Sequence, residues 1–225
     1  MFSIVISNKA DIARLEKLFL DTLGRVIPVA AAALKEFKQE DISAFCHQYA
    51  IYQVPTIELI DWLRCELEDF LYPKAWGHKV IEIGAGNGCI ARNIPIAATD
   101  NFLQQQEYIK SYYKRLGQPV IQYGEDVVNL EASKAVATFK PAVVIGCWVT
   151  QYGATDMVVD SSPLGIKELD FAGKVKRYIM IGNEDIHRRK LVLKEFSYKA
   201  LKFDWLYSRH LVREKNVIYD INLSK

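Results

Sequence analysis

The sequence predicts an α/β protein: a mostly parallel sheet with helices on both faces, preceded by a run of helices. Three observations predict it. From residue 75 onward, β-branched apolar runs alternate with helical periodicities, as in parallel strands joined by crossover helices. One run, Val80-Ile81-Glu82-Ile83, opens directly into Gly84-Ala85-Gly86-Asn87-Gly88, which reads as strand, glycine turn and helix start. The last two strand-like segments, 201–208 and 217–223, are close enough to form a hairpin, which turns the last strand antiparallel.

Composition sets the outer bounds. The 225 residues suit one large domain or a domain with an appendage. Half are hydrophobic and a quarter charged, as in soluble globular proteins, and a cytoplasmic location is the expectation. The 29 basic and 27 acidic side chains nearly cancel to +2, so nucleic acid is not indicated as a partner. Cys46, Cys65, Cys89 and Cys147 lie far apart with no C-x-x-C pair, so neither a zinc site nor a disulfide framework follows. No apolar run approaches the ~20 residues that cross a bilayer. Residues 2–6 are too short for a signal-peptide core.

Residues 1–74 form a helical segment. Ile12, Leu15, Leu18, Phe19 and Leu23 recur at three-and-four spacing, with Asp11 near the start and Gly24 at the stop. Residues 29–37 are alanine-rich behind Pro28, which suits a first helical turn. A short helix over 42–49 follows, capped by Asp41. Gln53-Val54-Pro55-Thr56 breaks the pattern, and Thr56 caps a helix over 57–71 with Ile57, Ile60, Leu63, Leu67 and Phe70 on one face.

Residues 75–225 carry the sheet. The glycines at every second position make a turn where φ > 0 is free and backbone can approach a ligand closely. The helix after the turn is short, because Ile94-Pro95 ends it. Ile96-Ala97-Ala98-Thr99-Asp100 is a second strand ending in an acid, and residues 102–116 form a helix stopped by Gly117. Val120-Ile121-Gln122-Tyr123 reads as a short, polar third strand, followed by Gly124-Glu125-Asp126-Val127. After a helix over 131–139, Ala142-Val143-Val144-Ile145-Gly146 is the most hydrophobic strand and hence central, with Cys147 and Trp148 at its end. Residues 151–173 are irregular apart from a helix over 166–171, and substrate contacts are expected there. Arg177-Tyr178-Ile179-Met180-Ile181 is a fifth strand, with Asn183, Glu184 and His187 beyond its end. Five parallel strands and the terminal hairpin give seven.

The turn distinguishes between ligands. A dinucleotide fingerprint needs G-x-G-x-x-G and a pyrophosphate on the helix N-terminus. Here the third glycine comes one residue early, and Glu82 at the strand end repels phosphate and suits a cation. E-I-G-A-G-N-G resembles the first motif of the class I, Rossmann-like S-adenosylmethionine (SAM)-dependent methyltransferases, and Asp100 matches the acid that family carries at the end of its second strand. The resemblance covers about residues 75–225, leaving 1–74 as a cap on the substrate side or a packing appendage. It implies SAM as cofactor, contacted by Glu82, Gly84, Ala85, Gly86 and Gly88, with Asp100 and Asn101 at the ribose. By placement it further implies Asp126 and Val127 at the adenine, with Glu125 competing, and Cys147 and Trp148 beside the transferred methyl. The base-amine motif [DNS]-P-P-[YFW] is missing after the fourth strand, which favours a small molecule or a protein side chain as acceptor. His187 is the candidate general base, its ordinary pKa of about 6.5 suiting that task. The competing reading is a surface histidine beside Arg188-Arg189-Lys190. Two other functions stay open: a non-catalytic SAM-binding or interaction protein, and an NAD-dependent enzyme.

Overall fold

The computed structural model describes residues 8–71, 79–152, 161–162 and 165–224. Residues 2–6 and the boundary at 74/75 lie outside the described residues, as do residues 153–160 of the irregular segment.

Seven strands form one sheet. β1 (Val80–Ile83) pairs in parallel with β2 (Ala97–Asp100) on one side and with β4 (Val143–Cys147) on the other. β3 (Val127–Asn129) extends the sheet beyond β2, and β5 (Arg177–Asn183) extends it beyond β4, both in parallel. β7 (Asn216–Asn222) then runs antiparallel along β5, with β6 (Tyr198–Leu201) antiparallel on its outer edge. The strand order is β3-β2-β1-β4-β5-β7-β6. This is the predicted mostly parallel sheet with an antiparallel last strand. The two-residue strands Gln151–Tyr152 and Ser161–Ser162 pair apart from it.

The sheet is buried on both faces because its central strands are apolar at consecutive positions. Ile81, Ile83, Val144, Tyr178 and Met180 point to one face. Three helices cover that face: α8 (Ala132–Phe139), α9 (Leu169–Ala172) and α11 (Leu191–Glu195). Val80, Val143, Ile145, Ile179 and Ile181 point the other way, onto α4 (Ile57–Glu66) and Ile90 of α6 (Cys89–Arg92). Cutting any of these fully buried isoleucines to alanine costs about 2–5 kcal/mol.

The N-terminal elements α1 (Lys9–Phe19), α2 (Ala31–Leu34) and α3 (Gln39–Gln48) build a second core around Leu15, Phe19, Leu34, Ile42 and Phe45. Asn8 caps α1, its side chain accepting from the Ala10 amide. Thr56 caps α4 as predicted, accepting from the Leu59 amide at 3.2 Å. α4 ends at Glu66, and the separate turn α5 (Glu68–Leu71) follows. This layer is sewn to the chain between β6 and β7: the Val54 amide donates to the Tyr207 carbonyl at 3.0 Å, and the Arg209 amide to that of Tyr52 at 3.1 Å.

Other elements also depart from expectation. The third strand is Val127–Asn129, and residues 120–123 are irregular. The Ile121 amide is taken by the Gln104 side chain at 2.9 Å, so no ladder bond is left for it to make. The expected helix over 102–116 splits into a 3-10 turn, Leu103–Gln105, and α7 (Glu107–Arg115). The hairpin strand is Tyr198–Leu201, whereas 202–208 leaves the sheet and carries Leu206 and Tyr207 into the helical cores. The short helices α10 (Glu184–His187) and α11 were not foreseen.

Candidate functional site

The site starts at the glycine turn. Gly84, Gly86 and Gly88 all have positive φ, at 60°, 56° and 72°. Gly88 is the left-handed residue that caps α6. A Cβ on Gly84 would lie 2.8 Å from Val149 Cγ1, so that position allows no side chain without displacement. The turn is tied to the neighbouring strand through the Ala85 amide, which donates to the Thr99 carbonyl at 3.0 Å.

Two acids flank the turn. Glu82 is 1% exposed and accepts from the Ala91 amide at 3.0 Å, in the first turn of α6. Burial pushes its carboxyl up to about 8; the charges of Asp100 and Asp126 push the same way, against the Ala91 bond. Asp100 accepts from the Gly86 amide with Oδ2 and from the Phe102 amide with Oδ1, each at 3.0 Å. Its pKa is raised, because burial outweighs those bonds. Asp100 therefore shapes the glycine turn directly and keeps spare acceptor capacity toward the space beyond.

That space is a cavity of about 410 Å³ at the carboxyl ends of β1, β2 and β4. Small-molecule sites in open α/β sheets lie at this end, and the volume is in their usual range. Phe102 and Tyr123 stack beside it at 4.3 Å, and the Tyr123 hydroxyl accepts from the Gln104 amide at 3.2 Å. On the β4 side, Trp148 has φ of 54° and donates its indole N–H to Gln53 Oε1 at 3.0 Å. The described residues lining the cavity include three acids, Glu82, Asp100 and Glu131, and no lysine, arginine or histidine. Glu131 also caps α8, its two oxygens accepting from Ser133 and Lys134.

The cavity brings together Glu82, Gly84, Ala85, Gly86, Asp100, Asn101, Cys147 and Trp148 from the predicted set. Cys147 is half-buried, and its thiol is pushed well up by burial. Gly88, Asp126, Val127 and His187 do not line it. Asp126 and Val127 stand at the start of β3, not past its end as the sequence reading had them, since that strand lies later in the chain. Asp126 pairs with Arg92 at 2.7 Å; burial works to raise its pKa, but the bonds from Arg92 hold it low. His187 is 2% exposed, and its Nδ1 lies 3.0 Å from both the amide and the carbonyl of Asn183. Burial, and then the charge of Lys190, push it down to about 3. The ring packs edge-on against Trp148 at 5.4 Å, which places it behind the cavity wall.

Several lining residues had no distinguishing mark in the sequence. Leu130, Glu131 and Ala132 take the place past β3 once the strand is correctly located, and the Leu130 amide donates to the Asp100 carbonyl at 2.8 Å. Tyr52 and Gln53 come from the N-terminal layer, where the break at 53–56 was the only signal.

No protein-family model matches the chain, and no curated protein matches it by sequence. Among solved structures it is similar to the magnesium protoporphyrin IX methyltransferase of Synechocystis PCC 6803 with bound SAM, at 14% identity and TM-score 0.40 over 97% of this chain and 100% of that one. The 23S rRNA methyltransferase ErmE gives 14% identity and TM-score 0.38 over 74% of this chain and 67% of that one. A precorrin-6y C5,15-methyltransferase from Geobacter metallireducens gives 13% and 0.37 over 75% and 89%. Likenesses at this level concern the course of the chain and carry nothing about its chemistry.

Proposed function

We propose that the chain is a SAM-dependent methyltransferase, and that Glu82, the glycine turn and Asp100 hold the cofactor. One observation carries the reading: three acids and no basic side chain among the described residues lining a cavity built on a glycine turn. A pyrophosphate would meet acids and no counter-charge there, whereas a ligand bearing sulfonium and ammonium groups favours their ionised form. This disfavours the NAD-dependent alternative. Gly86, with φ of 56° and only the Ile121 side chain near a hypothetical Cβ, leaves backbone exposed to a close-lying ligand.

In this reading Asp100 accepts from ribose hydroxyls with the lone pairs left by Gly86 and Phe102. Ile121, Tyr123 and Leu130 form the apolar slot for the base. Glu82 faces the cationic end, and a cation beside it draws its raised pKa down, so binding releases a proton near neutral pH. When bound, such a cofactor supplies a methyl on a cationic sulfur; transfer leaves a neutral thioether and a methylated acceptor whose proton passes to water. The chain's part is in-line positioning and exclusion of solvent, which accelerate such reactions without a strong base. His187, buried and engaged by Asn183, serves as support for Trp148 in this account. The acceptor enters between Trp148 and the N-terminal layer, which makes the described residues 8–71 the substrate-side cap.

Thermal melts with SAM and with NADH test the choice. At about 100 times its Kd, a ligand of the native state adds roughly 2.7 kcal/mol. SAM is expected to raise Tm and NADH to leave it unchanged; the reverse would overturn the reading.

A further inference from the structure

The cavity has two chemically different ends. The acids Glu82 and Asp100 stand at the ends of β1 and β2. The other end, past the C-terminus of β4, is lined by Trp148 and, from the N-terminal layer, Tyr52. Tyr52 and Trp148 have ring centroids 6.3 Å apart.

The polar groups of this wall are already engaged. Gln53 is 7% exposed. Its oxygen takes the Trp148 indole N–H at 3.0 Å, and its nitrogen donates to the Tyr207 carbonyl at 2.5 Å. The guanidinium of Arg209 lies 3.7 Å from the centroid of the Tyr52 ring and is not among the residues lining the cavity. Its backbone is fixed on both sides, by Tyr52 and by the Ser43 hydroxyl. The Tyr52 ring is thus backed by a cation and anchored at its main chain. Trp148 holds a left-handed backbone conformation, uncommon outside glycine and most often retained where a site needs it. Gln53 fixes its indole in that pose.

We propose that this end takes a flat, uncharged aromatic acceptor, stacked against Tyr52 and Trp148, with Gln53 as the residue that positions Trp148. This rests on the methyltransferase reading of the same cavity. Rings stacked on rings gain beyond their buried area, and saturated molecules of equal size do not. With no cation on the described wall, an acidic substituent on the acceptor gains nothing here.

The test uses the full chain saturated with S-adenosylhomocysteine, titrated with 2-naphthol, its saturated counterpart decahydro-2-naphthol, and 2-naphthoate. The expected order has 2-naphthol bound about tenfold more tightly than either of the others. Tyr52→Leu should abolish that preference in protein shown to be saturated with S-adenosylhomocysteine. Gln53→Leu should weaken 2-naphthol binding and shift the tryptophan emission maximum, and Gln53→Glu should restore both at a pH low enough to protonate the new carboxyl, which then accepts from Trp148 and donates to the Tyr207 carbonyl. Equal binding of the flat and saturated alcohols would overturn the inference, as would tighter binding of the acid, no binding of any probe, or an unchanged preference in Tyr52→Leu. Each of those results leaves the cofactor reading intact if S-adenosylhomocysteine still binds. Failure of S-adenosylhomocysteine to bind wild type would remove that reading and this inference with it.

Discussion

The ends of β1 and β2 differ from the end of β5 in one decisive respect. Both carry polar side chains at the carboxyl edge of a parallel sheet. At β1 and β2, Glu82 and Asp100 look into a cavity. At β5, Asn183 and His187 are closed in, with Asn183 donating to Asn216 at 3.0 Å and Asn216 in turn accepting from Ser208 at 2.8 Å. Lys190 and Glu168 are buried nearby as an ion pair at 2.5 Å, with 3% and 2% side-chain exposure, and the Tyr178 hydroxyl donates to Glu168 at 3.0 Å. The same strand-end position thus lines a cavity in one place and forms a structural clasp in the other. What separates them is the turn: the glycines let Glu82 and Asp100, buried though they are, line a cavity, whereas α10 folds back over the end of β5.

The largest effect that would sharpen this contrast belongs to the clasp. Lys190→Met leaves Glu168 buried without its cation and should cost about 3–5 kcal/mol in urea unfolding. Adding Glu168→Leu should recover most of that loss. A cost below about 1 kcal/mol for the single variant would mean that the end of β5 is open to water.

Gly84→Ala comes next, at about 1–3 kcal/mol. The new methyl meets Val149 at 2.8 Å on a backbone with φ of 60°. Its unfolding midpoint should fall, and SAM affinity should fall further than stability alone explains.

The two edges should also respond oppositely to pH. His187 has its folded pKa lowered to about 3 from 6.5, so the unfolded chain binds the extra proton as pH falls. Its contribution is present above about 6.5 and is lost as pH drops toward 3. Glu82 has its folded pKa raised to about 8 from 4.5, so its contribution is present below about 4.5 and is lost as pH rises through 8. Urea unfolding across pH 3 to 9 should therefore show a shallower acid-side slope in His187→Asn and a shallower base-side slope in Glu82→Gln. An unchanged slope in either variant would contradict that residue's placement.

Asp126→Asn should have the smallest effect. Its pair with Arg92 is partly exposed, at 43% and 29%, so the cost should stay below about 1 kcal/mol with SAM affinity unchanged. A large loss of affinity would return Asp126 to the site.

The glycine turn and the two acids on the cavity were legible in the sequence because their signals are local. Glycine spacing, the acid before it and the acid ending the next strand all sit within 82–100, and each reports a backbone requirement. The central strands were legible for the same reason, as continuous apolar runs. The third strand was not. Val120-Ile121 is apolar enough to imitate a strand, but Gln104, seventeen residues earlier, claims its amide. His187 was misleading in the same way: its burial depends on Lys190, Trp148 and Asn183, which meet only after folding. Tyr52 and Gln53 lie in a helical layer whose approach to β4 no local pattern announces.

The most direct measurement is the thermal stabilisation of wild type, Asp100→Ala and Asp126→Asn by SAM and S-adenosylhomocysteine. Asp100→Ala is itself destabilised by about 1–3 kcal/mol, because Gly86 and Phe102 lose their acceptor, so the ligand-induced shift is the quantity compared. A clear shift is expected in wild type and Asp126→Asn and none in Asp100→Ala. No shift in wild type at millimolar SAM, or an equal shift in Asp100→Ala, would contradict the cofactor reading.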